Sequence, residues 1–227
     1  RDLLKSSGAK GVIYGNSGGK DSALVGILCK AACDNTVGIM MPCASKRNFG
    51  EDMTDGLAVA EQFNIETRTV DLTAEKELVM QTVSAVTTLN QMATSNIAPR
   101  LRMLTLYTIG AEGRLVAGTG NRSEAYMGYF TKWGDGAYDF NPIADLTVTE
   151  IYEFLTWLHA PENIIRKAPS AGLFEGQTDE QEMGVTYAAI DKYILTGEAS
   201  EHDKAIIDRY HSRSEHKRRP AATYHAE

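Results

Sequence analysis

Along the first half of the chain, short apolar runs alternate with longer stretches in which apolar residues recur every three or four positions. Gly11 to Gly15 (GVIYG) is β-branched and aromatic, is bounded by glycine, and reads as a buried strand. Asn16 to Ser22 follows, then Ala23, Leu24, Ile27, Leu28 and Ala31 at helical spacing, so the unit is strand, glycine-rich loop, helix. Thr36 to Met41 reads as a second strand ended by Pro42, Glu66 to Leu72 as a third, and Arg114 to Ala117 as a fourth. Between them the pattern predicts helices over Asp52 to Phe63, from Ala74 through Val86, and after Pro99 with Leu101, Leu104 and Ile109. From Asp145 onward it is helical, broken by loops containing glycine and proline. Strands alternating with helices imply parallel strands joined by right-handed crossovers. The expected fold class is α/β: a doubly wound parallel sheet with helices on both faces and a helical C-terminal part.

A chain of 227 residues at 43% hydrophobic composition suits one large core, so residues 1–227 are expected to form a single domain. It opens on Arg1 rather than Met and carries no secretory signal, which leaves room for a missing N-terminal segment. Apolar runs such as Leu24 to Leu28 are too short to cross a bilayer. Cys29, Cys33 and Cys43 are odd in number and lack metal-ligand spacing, so buried thiols in a reducing cytoplasm are expected. A net charge of −7 argues against a nucleic-acid partner held by bulk attraction to phosphate. It leaves room for a local basic site that takes a small anion.

Ligands of open parallel sheets sit at the carboxyl ends of the strands, near the topological switch point. The first strand ends in Ser17-Gly18-Gly19-Lys20-Asp21-Ser22. Two glycines let the backbone approach a ligand, and the helix-start amides face it with the positive end of the macrodipole. Asp21 would repel phosphate unless a Mg²⁺ lay between them. Two glycines alone suit an ordinary capped turn equally well; the whole string between a strand and a helix is more specific. It is not the Walker pattern, which needs G-x-x-x-x-G-K-[ST].

Ser17 to Ser22 resembles the pyrophosphate loop of enzymes that cleave ATP to AMP and pyrophosphate to activate a carbonyl oxygen. Asn96 to Met103 resembles the N-x-x-x-R-x-R-M segment of NAD synthetases, and Val116 to Glu124 their G-T-x-x-x-x-E segment. Gly128 to Gly136 is similar to their G-[FY]-x-T-K-x-G-D-G signature. Asp139 to Pro142, Lys167 to Ala171 and Ser214 to Arg218 continue the match in order. The chain thus resembles the ammonia-dependent NAD synthetases, with nothing similar to a glutaminase domain. The resemblance implies a ligase that amidates deamido-NAD to NAD through an acyl-adenylate, releasing AMP and pyrophosphate, and working as a homodimer.

The same resemblance implies an ATP site of Gly15, Asn16, Ser17, Gly18, Gly19, Lys20, Asp21, Ser22, Thr119 and Ser170. It implies a deamido-NAD site of Arg100, Lys132, Asp139, His216 and Lys217, and Mg²⁺ held by Asp21 and Glu124. Each residue also has a plainer account. Asn121 and Glu124 have capping-box spacing, Lys132 and Asp139 lie in Gly-rich loops, and His216 and Lys217 belong to a basic tail. Arg100 and Arg102 near a helix start are unfavourable against the dipole, which an anionic ligand would explain. No residue stands out as a general base. The chain departs from the family at Val148, where many members carry a lysine near ATP, and at Gly172, where an acid is usual. A tRNA thiolase and a non-catalytic nucleotide-binding protein are the rival readings. The loops over Ala44 to Gly50 and Leu173 to Asp179 are candidate lids.

Overall fold

The computed structural model describes residues 1–167 and 178–224. After a short α1 (Asp2–Ser7), β1 (Gly11–Gly15) runs through the glycine loop into α2 (Lys20–Ala32). β2 (Thr36–Met40) is followed by α3 (Lys46–Phe49), α4 (Glu51–Gln62) and β3 (Glu66–Thr69). Then α5 (Thr73–Ser84), α6 (Gln91–Ser95) and α7 (Ile97–Gly110) lead to β4 (Arg114–Ala117). The helices after β4 are α8 (Arg122–Met127), α9 (Val148–Trp157), α10 (Glu162–Arg166), α11 (Asp179–Met183), α12 (Tyr187–Thr196), α13 (Glu201–Arg213) and α14 (Glu215–Arg218). Among the described residues none is long and apolar enough to cross a membrane.

The described sheet has four parallel strands in the order β3-β2-β1-β4. β1 is central, with Val12 registered against Thr36 of β2 and Leu115 of β4, and its apolar side chains are covered on both faces. Val12 and Tyr14 pack with Leu24 and Ile27 of α2 and Ile151 and Leu155 of α9. Ile13 points the other way, to Val37, Ile39, Val116 and the apolar side of α7. A third cluster, including Met127, Val148, Tyr187 and Ile207, joins the C-terminal helices.

Element edges shift where local chemistry allows. β3 ends at Thr69 rather than Leu72; as an edge strand it is mostly exposed, and Glu66 pairs with Arg68 at 2.8 Å. α7 begins at Ile97, with Pro99 inside the first turn, where its missing N–H leaves no helical bond unmade. The Ala44 to Gly50 stretch, expected as a loop, contains α3. β2 and β4 lie on opposite sides of β1, so the crossovers reverse direction there and a crevice opens beyond the ends of β1 and β4.

Tyr14 reaches between Gly26 of α2 and Gly38 of β2, and a Cβ at Gly26 would collide with its ring and hydroxyl. That hydroxyl is buried and has no hydrogen-bond partner among the described residues. Tyr14→Phe should therefore leave stability unchanged or raise it, whereas Gly26→Ala should lower it by about 1–3 kcal/mol. Urea unfolding of the two variants checks the opposite signs.

Candidate functional site

The crevice forms a cavity of about 930 Å³ whose walls include the glycine loop, the end of β4 and the start of α8. The loop is shaped by its own side chains. Ser17 N donates to Ser22 Oγ at 3.2 Å, Ser22 Oγ donates to Gly19 O at 3.0 Å, and Gly18 N donates to Asn16 Oδ1 at 3.3 Å. Buried Asn16 ties the loop to α4 by donating to Gly56 O at 3.0 Å. Gly18 is required twice over: its φ is +70°, and a Cβ there would strike the Asp52 backbone. α2 starts after Gly19 with no side-chain cap, so its first amides face the cavity as an anion-binding end.

Asp21 and Glu124 both line this cavity. Asn121, fully buried, joins them: its Nδ2 donates to Asp21 Oδ1 at 3.0 Å, while its Oδ1 accepts from Glu124 N at 2.9 Å. Glu124 Oε2 accepts from Asn121 N at 3.2 Å, which completes the capping box of α8. Glu124 is thus a helix cap and a cavity carboxylate at once. Burial, and then the negative charge of Asp21, hold its carboxyl well above the ordinary carboxylate range.

Lys20 answers that repulsion. Its Nζ lies 2.7 Å from Asp21 Oδ2, with its charge 5.9 Å from the Tyr152 ring and 5.7 Å from the Tyr187 ring. Burial alone would push this ammonium down; Asp21 and Glu124 outweigh burial and raise its pKa above that of a free lysine.

Two carboxylates with hard oxygen donors, facing a helix start that binds anions, suit Mg²⁺, which takes one or two protein carboxylates and fills its remaining positions from phosphates and water. Among the described residues no group of three or more His, Cys, Asp or Glu side chains is placed to hold a metal ion.

The expected ATP residues Gly15, Asn16, Ser17, Gly19, Lys20, Asp21, Ser22 and Thr119 line the cavity; Gly18 shapes the loop behind it. Ser170 and Gly172 lie outside the described residues, as does most of the Leu173 to Asp179 stretch. Of the expected deamido-NAD residues, Lys217 lines the cavity, its Nζ donating to Gly128 O at 2.8 Å and Phe130 O at 2.7 Å. Arg100, Lys132 and His216 form a chain beside it: Arg100 Nη2 donates to Lys132 O at 3.3 Å and Lys132 Nζ to His216 O at 2.7 Å. Asp139 stands apart, accepting from Val116 N at 2.7 Å and Tyr107 Oη at 3.2 Å. Val148 is buried in the C-terminal apolar cluster.

Residues outside the expected ATP and deamido-NAD sets also enter the site. Arg102 lines the cavity, where Arg100 does not, and donates to Met41 O at 3.1 Å. Lys167 pairs with Asp52 at 2.7 Å and Asp55 at 2.6 Å and donates to Gly18 O at 3.2 Å, fastening the glycine loop to α4. Its place in the Lys167 to Ala171 block was the available signal. Arg218 Nη1 donates to Ala125 O at 3.3 Å and Tyr126 O at 3.2 Å, closing the C-terminal end of α8. Buried Asp191 accepts from Ser123 Oγ of α8 and from Thr149 N and Oγ1 of α9 at 2.8 and 2.7 Å, joining α8, α9 and α12.

Residues 1–222 match the profile of the NAD synthase family. The chain is 46% identical to the NH3-dependent NAD+ synthetase of Carboxydothermus hydrogenoformans, over 96% of this chain and 90% of that protein. It is 40% identical to the enzyme of the same name from Archaeoglobus fulgidus, over 96% and 90% of the two chains. Among solved structures, NMN synthetase from Francisella tularensis superposes with a TM-score of 0.93 at 38% identity, covering 98% of this chain and 92% of that one. The NH3-dependent NAD synthetase from Campylobacter jejuni superposes with a TM-score of 0.76 at 28% identity, covering 99% and 93%.

Asn121→Ala should cost about 0.5–2 kcal/mol through loss of the α8 cap. Asp191→Ala should cost about 1–3 kcal/mol, because the buried Ser123 hydroxyl loses its acceptor and the tie to Thr149 is cut. Denaturant titration of both variants tests these values; unchanged midpoints would rule out the bracing of α8.

Proposed function

This chain belongs to the NAD synthase family, and we propose that its cavity amidates deamido-NAD to NAD with ammonia, at the expense of ATP. The observation that carries this reading is the pair Asp21 and Glu124, set on one cavity wall beside an anion-binding helix start and joined through Asn121. Mg²⁺ held by that pair would offset the negative charge of the triphosphate. The loop Gly15 to Ser22, with Thr119 and Ser170, takes the nucleotide, and Arg100, Lys132, Asp139, His216 and Lys217 take deamido-NAD.

The chemistry proceeds by two displacements. A carboxylate oxygen of the nicotinate ring attacks the α-phosphorus; the new O–P bond forms as the bond to pyrophosphate breaks. The lone pair of neutral ammonia then attacks the acyl carbon, the bond to AMP breaks, and the nitrogen loses a proton to solvent. No side chain is assigned as general base. The protein's part is to hold the two substrates in line and to meet the developing charge: backbone amides of the glycine loop face the departing phosphates, and Lys20 lends its charge beside them.

Residues 1–227 act as one synthetase domain in this reading, and the free thiols Cys29, Cys33 and Cys43 suit a reducing cytoplasm. The assembly we propose is a homodimer. α5 buries none of its residues, and Leu78 at 63% and Leu104 of α7 at 58% exposure offer apolar surface. The closeness of the backbone to NMN synthetase favours a second reading, in which the same chemistry amidates the mononucleotide to NMN.

Asp21→Asn and Glu124→Gln should each abolish AMP formation while circular dichroism stays native; wild-type-like turnover in either would remove the metal assignment. Wild-type kcat/KM, measured side by side for deamido-NAD and nicotinic acid mononucleotide with ATP, Mg²⁺ and ammonium, decides between the substrates. Turnover of neither would leave a nucleotide-binding protein without this activity.

A further inference from the structure

The Asp21–Glu124 pair already has a cation in contact with it. Lys20 is only 5% exposed, and its ammonium touches Asp21 at 2.7 Å. Around it stand Asp21, Glu124 and the rings of Tyr152 and Tyr187; Tyr187 in turn donates its hydroxyl to Asp179 at 3.1 Å. α9, which contributes Tyr152, brings no charge of its own on that face: Val148, one turn earlier, is apolar and buried. Lys20 is therefore the cation that α2 supplies at this junction.

An ammonium and a divalent cation cannot both hold the same carboxylate oxygen without strong repulsion. Lysine is a compact charge on a flexible stem, and the two aromatic faces give that charge a favourable surface as it moves. We propose that Lys20 is a displaceable counter-cation: its ammonium holds the carboxylate pair against free divalent metal, and yields only when a nucleotide brings phosphates to receive the lysine's charge. This rests on the reading that Asp21 and Glu124 hold a divalent cation. It adds an order of loading, in which metal and nucleotide enter together.

The test measures Mn²⁺ binding to the full chain by the loss of its free-ion paramagnetic signal, for wild type, Lys20→Met and Lys20→Arg. Without nucleotide, Lys20→Met should bind Mn²⁺ about tenfold more tightly than wild type, since a competing positive charge has gone. Lys20→Arg, which keeps the charge, should stay near wild type. In the presence of Mn²⁺, an ATP analogue with a methylene between its α- and β-phosphorus should bind Lys20→Met about tenfold more weakly. A gain for bare metal together with a loss for nucleotide is the signature, because a merely structural lysine moves both the same way. Unchanged or weaker Mn²⁺ binding by Lys20→Met, or unchanged analogue binding, overturns the proposal. Wild type that binds Mn²⁺ neither alone nor with the analogue overturns the metal reading itself. If Lys20→Met fails to fold by circular dichroism, Lys20→Gln replaces it with the same expectations.

Discussion

Like charges from distant parts of the chain do not come together unaided, and the site of this protein is built on making them do so. Asp21 lies in α2, which crosses from β1 to β2, and Glu124 lies in α8, which follows β4, the last strand of the described sheet. The strand order puts the ends of β1 and β4 side by side, and Asn121, itself uncharged, then spans the remaining gap by hydrogen bonds. Backbone geometry supplies the proximity, one amide fixes it, and the Lys20 ammonium offsets its electrostatic cost.

Charge is distributed to the same end. The chain carries a net −7, yet Lys20, Arg102, Lys167 and Lys217 all line the cavity. Several of these cations are spent on backbone carbonyls rather than on free solvent. Lys217 holds Gly128 and Phe130, Lys167 holds Gly18 as well as two aspartates, and Arg102 holds Met41. A cation bound this way has lost most of its conformational freedom before a ligand arrives, so less entropy remains to be lost on binding.

The parallel sheet and the glycine loop were legible because both are local. GVIYG, the S-G-G-K-D-S string and the period-3.6 pattern after it lie within twenty or so consecutive residues, where spacing alone carries geometry. Asp21 was reached from the chemistry of a phosphate loop and Glu124 by family resemblance, and both line the cavity. What spacing cannot report is a contact across a hundred residues of chain. Asn121 read only as a cap, yet it also donates to Asp21. Arg100 and Arg102 looked equivalent near a helix start, but two residues along a helix is about 200° of rotation, so one faces the cavity and the other solvent. Asp139 sat in a polar turn, and its bonds to Val116 and Tyr107 depend on how the sheet edge meets α7.

The Arg218 clamp on α8 has a consequence for how the molecule is made. Its guanidinium reaches carbonyls more than ninety positions earlier in the chain, and Lys217 reaches nearly as far. During synthesis the sheet can assemble as its strands emerge, N-terminal part first. The wall around Glu124 cannot be fastened until α14, some ninety residues after α8, has also emerged. A nascent chain would therefore carry a folded sheet before its pocket is finished.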